Sequence, residues 1–250
     1  MSRYLIALLI CVSALASAGQ SSIRDSVINL SAINLSYGYY LPFADMGERF
    51  GGFSNVHASY NIKTRKNWML SAEGGLMFGN QIEVDSMFKN ISTSDGQIIG
   101  NDGKAATVRV YQRGYTITVN GGKLFPIGKP NKNSGVVVMV GAGFVQHKIR
   151  IETLGNTVEY LNKQYKKGYD RLTNGLLIRQ YIGYQYLGNK QLVNFHFGID
   201  INQGFTQGRR SYLFETGLPD NAKRTELFIG IRAGWSLPLY KRASDKFYVD

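Results

Sequence analysis

Six ionisable residues fall on the polar side of segments in which polar and apolar residues alternate. Two carboxylates, two guanidinium groups and two imidazoles share this phase: Glu73, Glu226, Arg179, Arg232, His57 and His196. If such segments close into a narrow barrel, this face points inward, where charges of both signs would pair. An eight-stranded barrel is only wide enough for side chains to fill its interior. The pattern therefore predicts a salt-bridged network that plugs the lumen.

The histidines also allow a catalytic interpretation. In a membrane-embedded hydrolase or acyltransferase, His57 or His196 would activate a serine nucleophile beside an orienting carboxylate. Nothing in the sequence positions such a triad, so we predict no catalytic residues. His147 stands beside Lys148 and close to Arg150 near the predicted outer end of a strand, and this group is expected to form a basic rim that contacts lipopolysaccharide phosphate. Three scattered histidines make a poor metal site, and we expect neither a metal nor another cofactor.

A second group of residues combines positive charge with aromatic rings in the predicted outer loops. Its members are Lys163, Lys166, Lys167, Arg171, Arg209, Arg210, Tyr165, Tyr169 and Tyr212. Basic residues near a bilayer gain about 1 kcal/mol each from anionic head groups, so a solvated face that balances outer-membrane lipid and lipopolysaccharide would explain the charges. The interleaved tyrosines point instead to a protein partner, because aromatic residues and arginine are enriched at binding hot spots. Both interpretations stay open.

Alternation with a period of two identifies the elements that position these residues. Eight segments carry it, at about 33–40, 55–62, 68–78, 115–120, 136–149, 176–186, 193–201 and 227–237. The connections at 63–67, 126–134 and 188–191 are short, whereas those at 79–108, 152–172 and 204–223 are long and polar. The first loop, 42–51, should lie on the same side as the long ones. This asymmetry predicts an all-β, antiparallel transmembrane β-barrel of about eight strands with short periplasmic turns and long extracellular loops.

A soluble, lipocalin-like barrel is the structural alternative. It would invert the alternation and place the apolar side chains inward. Aromatic residues near the predicted strand ends favour the membrane barrel, because they would form girdles at the two interfaces. These residues are Tyr39, Trp68, Phe78, Tyr184, Tyr186, Trp235 and Tyr240.

The N-terminal residues have the layout of a secretory signal peptide. Arg3 precedes an apolar run from Tyr4 to Leu15, and the small residues Ala16-Ser17-Ala18 follow. We predict a signal peptide at 1–18 and one barrel domain at 19–250. The only cysteine, Cys11, follows Ile10 rather than a small residue, so we expect no lipid anchor. Export also leaves the formal net charge of +12 to anionic lipid or acidic proteins and excludes nucleic acid as a partner.

Several motifs resemble those of small outer-membrane β-barrel proteins of Bacteroidota. They are YLPFADMGERFG at 40–51, KNW at 66–68, GAGFVQHKI at 141–149, KGYDRL at 167–172 and FYV at 247–249. The triplets DSV at 25–27 and DSM at 85–87 are similar to the O-glycosylation sequence of that phylum, which would place glycans on Ser26 and Ser86.

The resemblance implies a non-enzymatic accessory subunit of a larger outer-membrane machine. Such a machine would be a β-barrel assembly complex or a type IX secretion complex, and the expected partners are a larger outer-membrane barrel and its associated subunits. A small free-standing pore and a lipid-modifying barrel enzyme are the alternatives.

Overall fold

The computed structural model describes residues 27–84, 87–127, 130–154, 158–189 and 193–239. The predicted signal peptide, Ser26, Ser86, Tyr240 and the motif at 247–249 lie outside the described residues. No helix in the described part of the chain is long and apolar enough to cross a membrane.

Eight antiparallel strands form a closed barrel in which each strand pairs with the next along the chain and the last pairs with the first. The strands are β1 (Leu30–Phe43), β2 (Phe53–Lys63), β3 (Trp68–Gly79), β4 (Thr107–Pro126), β5 (Gly135–Leu154), β6 (Thr173–Leu187), β7 (Asn194–Gly208) and β8 (Lys223–Leu239). One short helix, α1 (Ala44–Gly47), follows β1. The predicted barrel and its eight strands are confirmed.

The outward and inward faces of the barrel have opposite polarity. Outward side chains such as Ile117, Val119 and Ile231 are 58%, 59% and 73% exposed. Inward side chains such as Asn34 and Thr118 are polar and buried. An apolar outer wall around a polar interior is the pattern of a transmembrane barrel, and it is the inverse of the soluble, lipocalin-like alternative.

The strands β4 and β5 are longer than the sequence pattern predicts. Each has 20 residues, whereas a membrane strand needs about 9–11. In their outer parts the alternation of polar and apolar residues changes phase, so that apolar side chains lie on the inward face and charged ones on the outward face. Val110 and Ile151 face inward against other apolar side chains, and Arg109 and Arg150 face outward. Alternation for a lipid-facing strand ends where the strand leaves the bilayer, which is why the sequence pattern missed these extensions.

The three long outer connections pack against one another as an outer cap, defined here as the described residues of 80–106, 158–172 and 209–222. Its apolar core includes the buried residues Met87, Ile98, Val158, Leu161 and Tyr169. This core continues into the outer end of the barrel, where Met46 and Phe50 of the first loop are fully buried. The outer end is therefore closed by protein.

Candidate functional site

Four charged side chains from four strands meet in the middle of the lumen. Glu73 of β3 accepts hydrogen bonds from Arg232 of β8 at 2.9 and 2.7 Å and from Arg179 of β6 at 2.5 Å. Arg179 also donates to Asp200 of β7 at 2.7 Å, and Arg232 lies 3.7 Å from the same carboxylate. Two guanidinium groups thus balance two carboxylates in this central cluster, which satisfies the requirement that buried charges be paired.

Two further residues complete the hydrogen bonding of the central cluster. The Tyr40 hydroxyl donates to Asp200 at 2.8 Å and lies 3.0 Å from Nε2 of His57. Nδ1 of His57 lies 3.0 Å from Glu73. Asp200 was not among the predicted network residues, although it shares the inward phase of His196 and was identifiable from that spacing.

His196 occupies a separate position in the lumen. Its Nδ1 atom lies 3.3 Å from the hydroxyl of Ser236, and both side chains are buried inside the barrel. A serine and a histidine therefore do meet, but on the lumen side of the wall, where both side chains are buried. In the described residues no group of three His, Cys, Asp or Glu side chains has the geometry to hold a metal ion.

A small polar cavity lies next to the central cluster. Its volume is about 30 Å³, and its lining includes Asn34, Asn61, Tyr181 and His196. Each of these four side chains has a buried polar atom without a hydrogen-bond partner among the described residues. Most of the residues that line the cavity are polar, and it has room for about two water molecules. It is much smaller than a water-filled channel.

Glu226 belongs to a second cluster, closer to the outer end. It pairs with Arg49, which follows α1, and Nε2 of His147 lies 2.8 and 2.9 Å from its two oxygens. Arg49 also donates to the Thr173 hydroxyl at 3.1 Å. Burial lowers the pKa of Arg49, and the Glu226 carboxylate opposes that shift. The first loop is therefore fastened inside the barrel by a buried ion pair.

The predicted place of His147 in a basic rim is wrong. Its side chain is fully buried in the lumen, where the ring of Phe50 packs edge-on against it at 5.3 Å. Lys148 and Arg150 do face outward. The error has a simple cause: His147 is one residue from Lys148 and three from Arg150, and residues an odd number of positions apart in a strand point to opposite faces.

An aromatic layer separates the two polar clusters. Tyr40, Phe53 and Phe228 are fully buried, and their ring centroids lie 5.6 to 5.8 Å apart. Such pairs add to the stability gained from burial alone. From the outer end inward, the lumen is thus filled by the first loop with the Glu226 cluster, the aromatic layer and the central cluster.

The predicted basic residues of the outer cap divide into two groups. The three arginines bind neighbouring segments: Arg171 pairs with Glu215, Arg210 makes a bidentate pair with Asp170 at 2.6 and 2.5 Å, and Arg209 donates to Asn174 at 2.7 Å. The three lysines have no ion-pair partner in the part of the chain that the structure describes. They are Lys163, Lys166 and Lys167.

The predicted tyrosines of the cap stand around one phenylalanine. Tyr165 and Tyr212 are 45% and 48% exposed, and their ring centroids lie 5.6 and 5.3 Å from that of Phe214. Tyr169 is buried beneath, 5.0 Å from Phe214 and 5.5 Å from Phe88. We call Tyr165, Tyr212, Phe214 and the three lysines the cap patch.

No protein-family model matches the sequence, and no curated protein matches it significantly. Solved structures match most of its length at low sequence identity. The chain is 10% identical to the attachment invasion locus protein Ail of Yersinia pestis, with 84% of this chain and 99% of that chain covered and a TM-score of 0.43. For the outer membrane protein OprG of Pseudomonas aeruginosa the identity is 10%, the coverage 86% and 98%, and the TM-score 0.37.

Proposed function

We propose that this chain is a non-enzymatic integral protein of a bacterial outer membrane that docks a protein partner through its cap patch. More specifically, it acts as an accessory subunit of a larger outer-membrane complex for barrel assembly or type IX secretion. One observation carries the docking function: the outer loops form a packed cap that holds exposed tyrosines in one place with lysines that have no ion-pair partner among the described residues.

The membrane location is supported by the polarity of the barrel wall. Closed barrels with an apolar outer face and a polar interior are the form in which strands cross bacterial outer membranes. The signal-like N-terminal sequence agrees with export to that membrane.

The cap patch has the chemistry of a preorganised binding surface. Tyr165 and Tyr212 pack against Phe214, so their rings lose little conformational freedom on binding. Aromatic anchors of this type contribute most of the energy at many protein interfaces. Lys163 and Lys167 are exposed beside them and favour a partner with an acidic surface, because complementary charge speeds association and selects partners.

The interior of the barrel supports a non-enzymatic role. The Ser236–His196 contact is enclosed in the lumen, and the charged residues there pair with one another. Paired, buried charges of this kind fit a structural role in the lumen.

The docking function can be tested by affinity purification of a C-terminally tagged chain from outer membranes in mild detergent. We expect a larger barrel to co-purify with the wild type, and Tyr165→Ala with Tyr212→Ala to lose it. Ile99→Ala removes an equally exposed apolar side chain from another part of the cap and should retain the partner. Recovery of the wild-type chain alone, or equal recovery with the tyrosine variant, would contradict the proposal.

A small pore is the second candidate, and the buried polar side chains that line the lumen favour it. Steady ion conductance of the purified wild-type chain in planar bilayers would support a pore. A silent bilayer would support the plugged barrel instead.

A further inference from the structure

The outer part of the β4–β5 hairpin presents a concentration of positive charge on its outward face. Along this face, Tyr115 and Phe144 are the apolar side chains that come before the change of phase. Beyond them, Arg113, Arg109, Lys148 and Arg150 point outward together with a single carboxylate, Glu152. The face therefore has a net charge of +3 directly outside the apolar belt, at the depth where lipid head groups lie.

Arg113 and Lys148 are directly opposite each other across the two strands. Like charges at facing positions of an antiparallel pair repel and destabilise the sheet. On the same face, Glu152 lies 2.6 Å from Arg150 and is directly opposite Arg109, so Arg113 and Lys148 form the facing pair that has no carboxylate beside it on this face. An anion between the two side chains would remove the repulsion.

The protein itself supplies little negative charge to this pair. Nη1 of Arg113 donates to the carbonyl oxygens of Gln112 and Gly79 at 2.7 and 3.4 Å, and in the described residues no carboxylate lies within 4.0 Å of it. Lys148 reaches Asp170 only at 3.9 Å, and Arg210 already holds that carboxylate in a bidentate pair. The guanidinium group therefore has donors left for an outside ligand.

An amphipathic cleft adjoins Arg113 on the outer wall. Its volume is about 380 Å³, within the range of small-molecule sites. Three outward aromatic rings and several polar groups line it: Tyr39, Phe78, Tyr111, Ser54, Asn80 and Gln81. The guanidinium carbon of Arg113 lies 4.9 Å from the ring centroid of Tyr111, which holds it at the edge of the cleft. Rings and polar groups together suit a molecule that is part sugar and part hydrocarbon.

We propose that Arg113 and Lys148 bind the phosphate group of a phosphorylated glycolipid of the outer leaflet, with the adjoining sugar in the cleft. Guanidinium and ammonium groups form charge-assisted hydrogen bonds to phosphate oxygens, and arginine matches the geometry of phosphate with two parallel donors. The occupant is a lipid because the site opens sideways, immediately above the lipid-facing belt. This site is separate from the cap patch and does not depend on the docking function.

The test is native mass spectrometry of the purified full chain in mild detergent with added lipid A. We expect one tightly retained lipid A on the wild type, and roughly 30-fold weaker binding for Arg113→Gln with Lys148→Gln, because each basic residue contributes a factor of about five near anionic lipid. Lys89→Gln with Lys104→Gln removes the same charge from exposed positions elsewhere on the cap and should leave retention unchanged. Lipid A from which both phosphates have been removed should not be retained.

Three outcomes would overturn the proposal. Equal losses of lipid A binding in the Arg113/Lys148 and Lys89/Lys104 double variants would mean that the lipid is held by general electrostatic attraction and not by a site. Retention of the dephosphorylated lipid at the wild-type level would mean that the phosphate is not recognised. Displacement of lipid A by an equal concentration of inorganic phosphate would mean a site for free anions. Heat-modified mobility in gel electrophoresis verifies that each variant is folded, so that a loss of binding is not a loss of the barrel.

Discussion

At the level of single residues, the central cluster depends on Glu73 more than on any other group. This carboxylate accepts from Arg179 and Arg232 and contacts His57, so three cationic or potentially cationic side chains converge on it. A buried ion pair often contributes little net stability, since desolvation offsets the attraction. Removal of one partner is different, because it leaves the other charge buried without compensation.

We therefore expect Glu73→Gln to destabilise the barrel by about 3–5 kcal/mol. Asp200 alone would then face two guanidinium groups. Urea unfolding in lipid vesicles, followed by tryptophan fluorescence, measures the change. Glu159→Gln makes the same substitution at an exposed position and should be neutral. A Glu73→Gln barrel as stable as the wild type would mean that the lumen charges are independently solvated.

Arg49 is a second single residue whose removal should have a local effect. This residue connects the first loop to Glu226, and Asp45 accepts a hydrogen bond from the backbone N–H of Thr225 at 2.7 Å. We expect Arg49→Ala to speed hydrogen exchange in residues 44–52 by roughly 100-fold, which corresponds to the loss of about 3 kcal/mol from local opening. Exchange in β2 and β3 should not change. Equal acceleration throughout the barrel would show that the pair stabilises the whole fold rather than the loop.

At the level of elements, glycine allows β4 and β5 to approach each other closely on the inward face of the barrel. An added Cβ on Gly143 would lie 1.9 Å from the carbonyl oxygen of Ile117, because the two strands approach closely there. An added Cβ on Gly121, on the outward face of β4, would meet nothing within 4 Å. Gly143 therefore has no space for a side chain, whereas Gly121 has open space around it.

This contrast gives a matched pair of substitutions. We expect Gly143→Ala to reduce the yield of folded barrel sharply, because backbone atoms cannot move away as a flexible side chain can. Gly121→Ala should fold with wild-type yield. Heat-modified mobility in gel electrophoresis measures the folded fraction, and a normal yield for Gly143→Ala would show that the hairpin adjusts without cost.

Strand number and strand phase could be predicted from the sequence because the bilayer imposes a regular alternation on each spanning segment. The outer parts of β4 and β5 could not, because the apolar residues Val110 and Ile151 face inward there and charged residues face outward. In the lumen, Glu73 and Arg232 follow from their phase. Arg49 was missed because it comes from a loop, where no periodicity shows that its side chain enters the barrel.

At the level of the whole molecule, the change of phase in β4 fixes the depth of the barrel in the bilayer. Val119 and Thr107 lie on the same outward face of the same strand, 12 residues apart, but Val119 is within the apolar belt and Thr107 is at the outer tip. We expect Val119→Arg to cost about 2–4 kcal/mol, as for arginine at the bilayer midplane, and Thr107→Arg about 0–1 kcal/mol. Urea unfolding in vesicles measures both. Similar costs at the two positions would mean that the hairpin does not leave the membrane where its polarity changes, and the proposed phosphate site would then lie at the wrong depth.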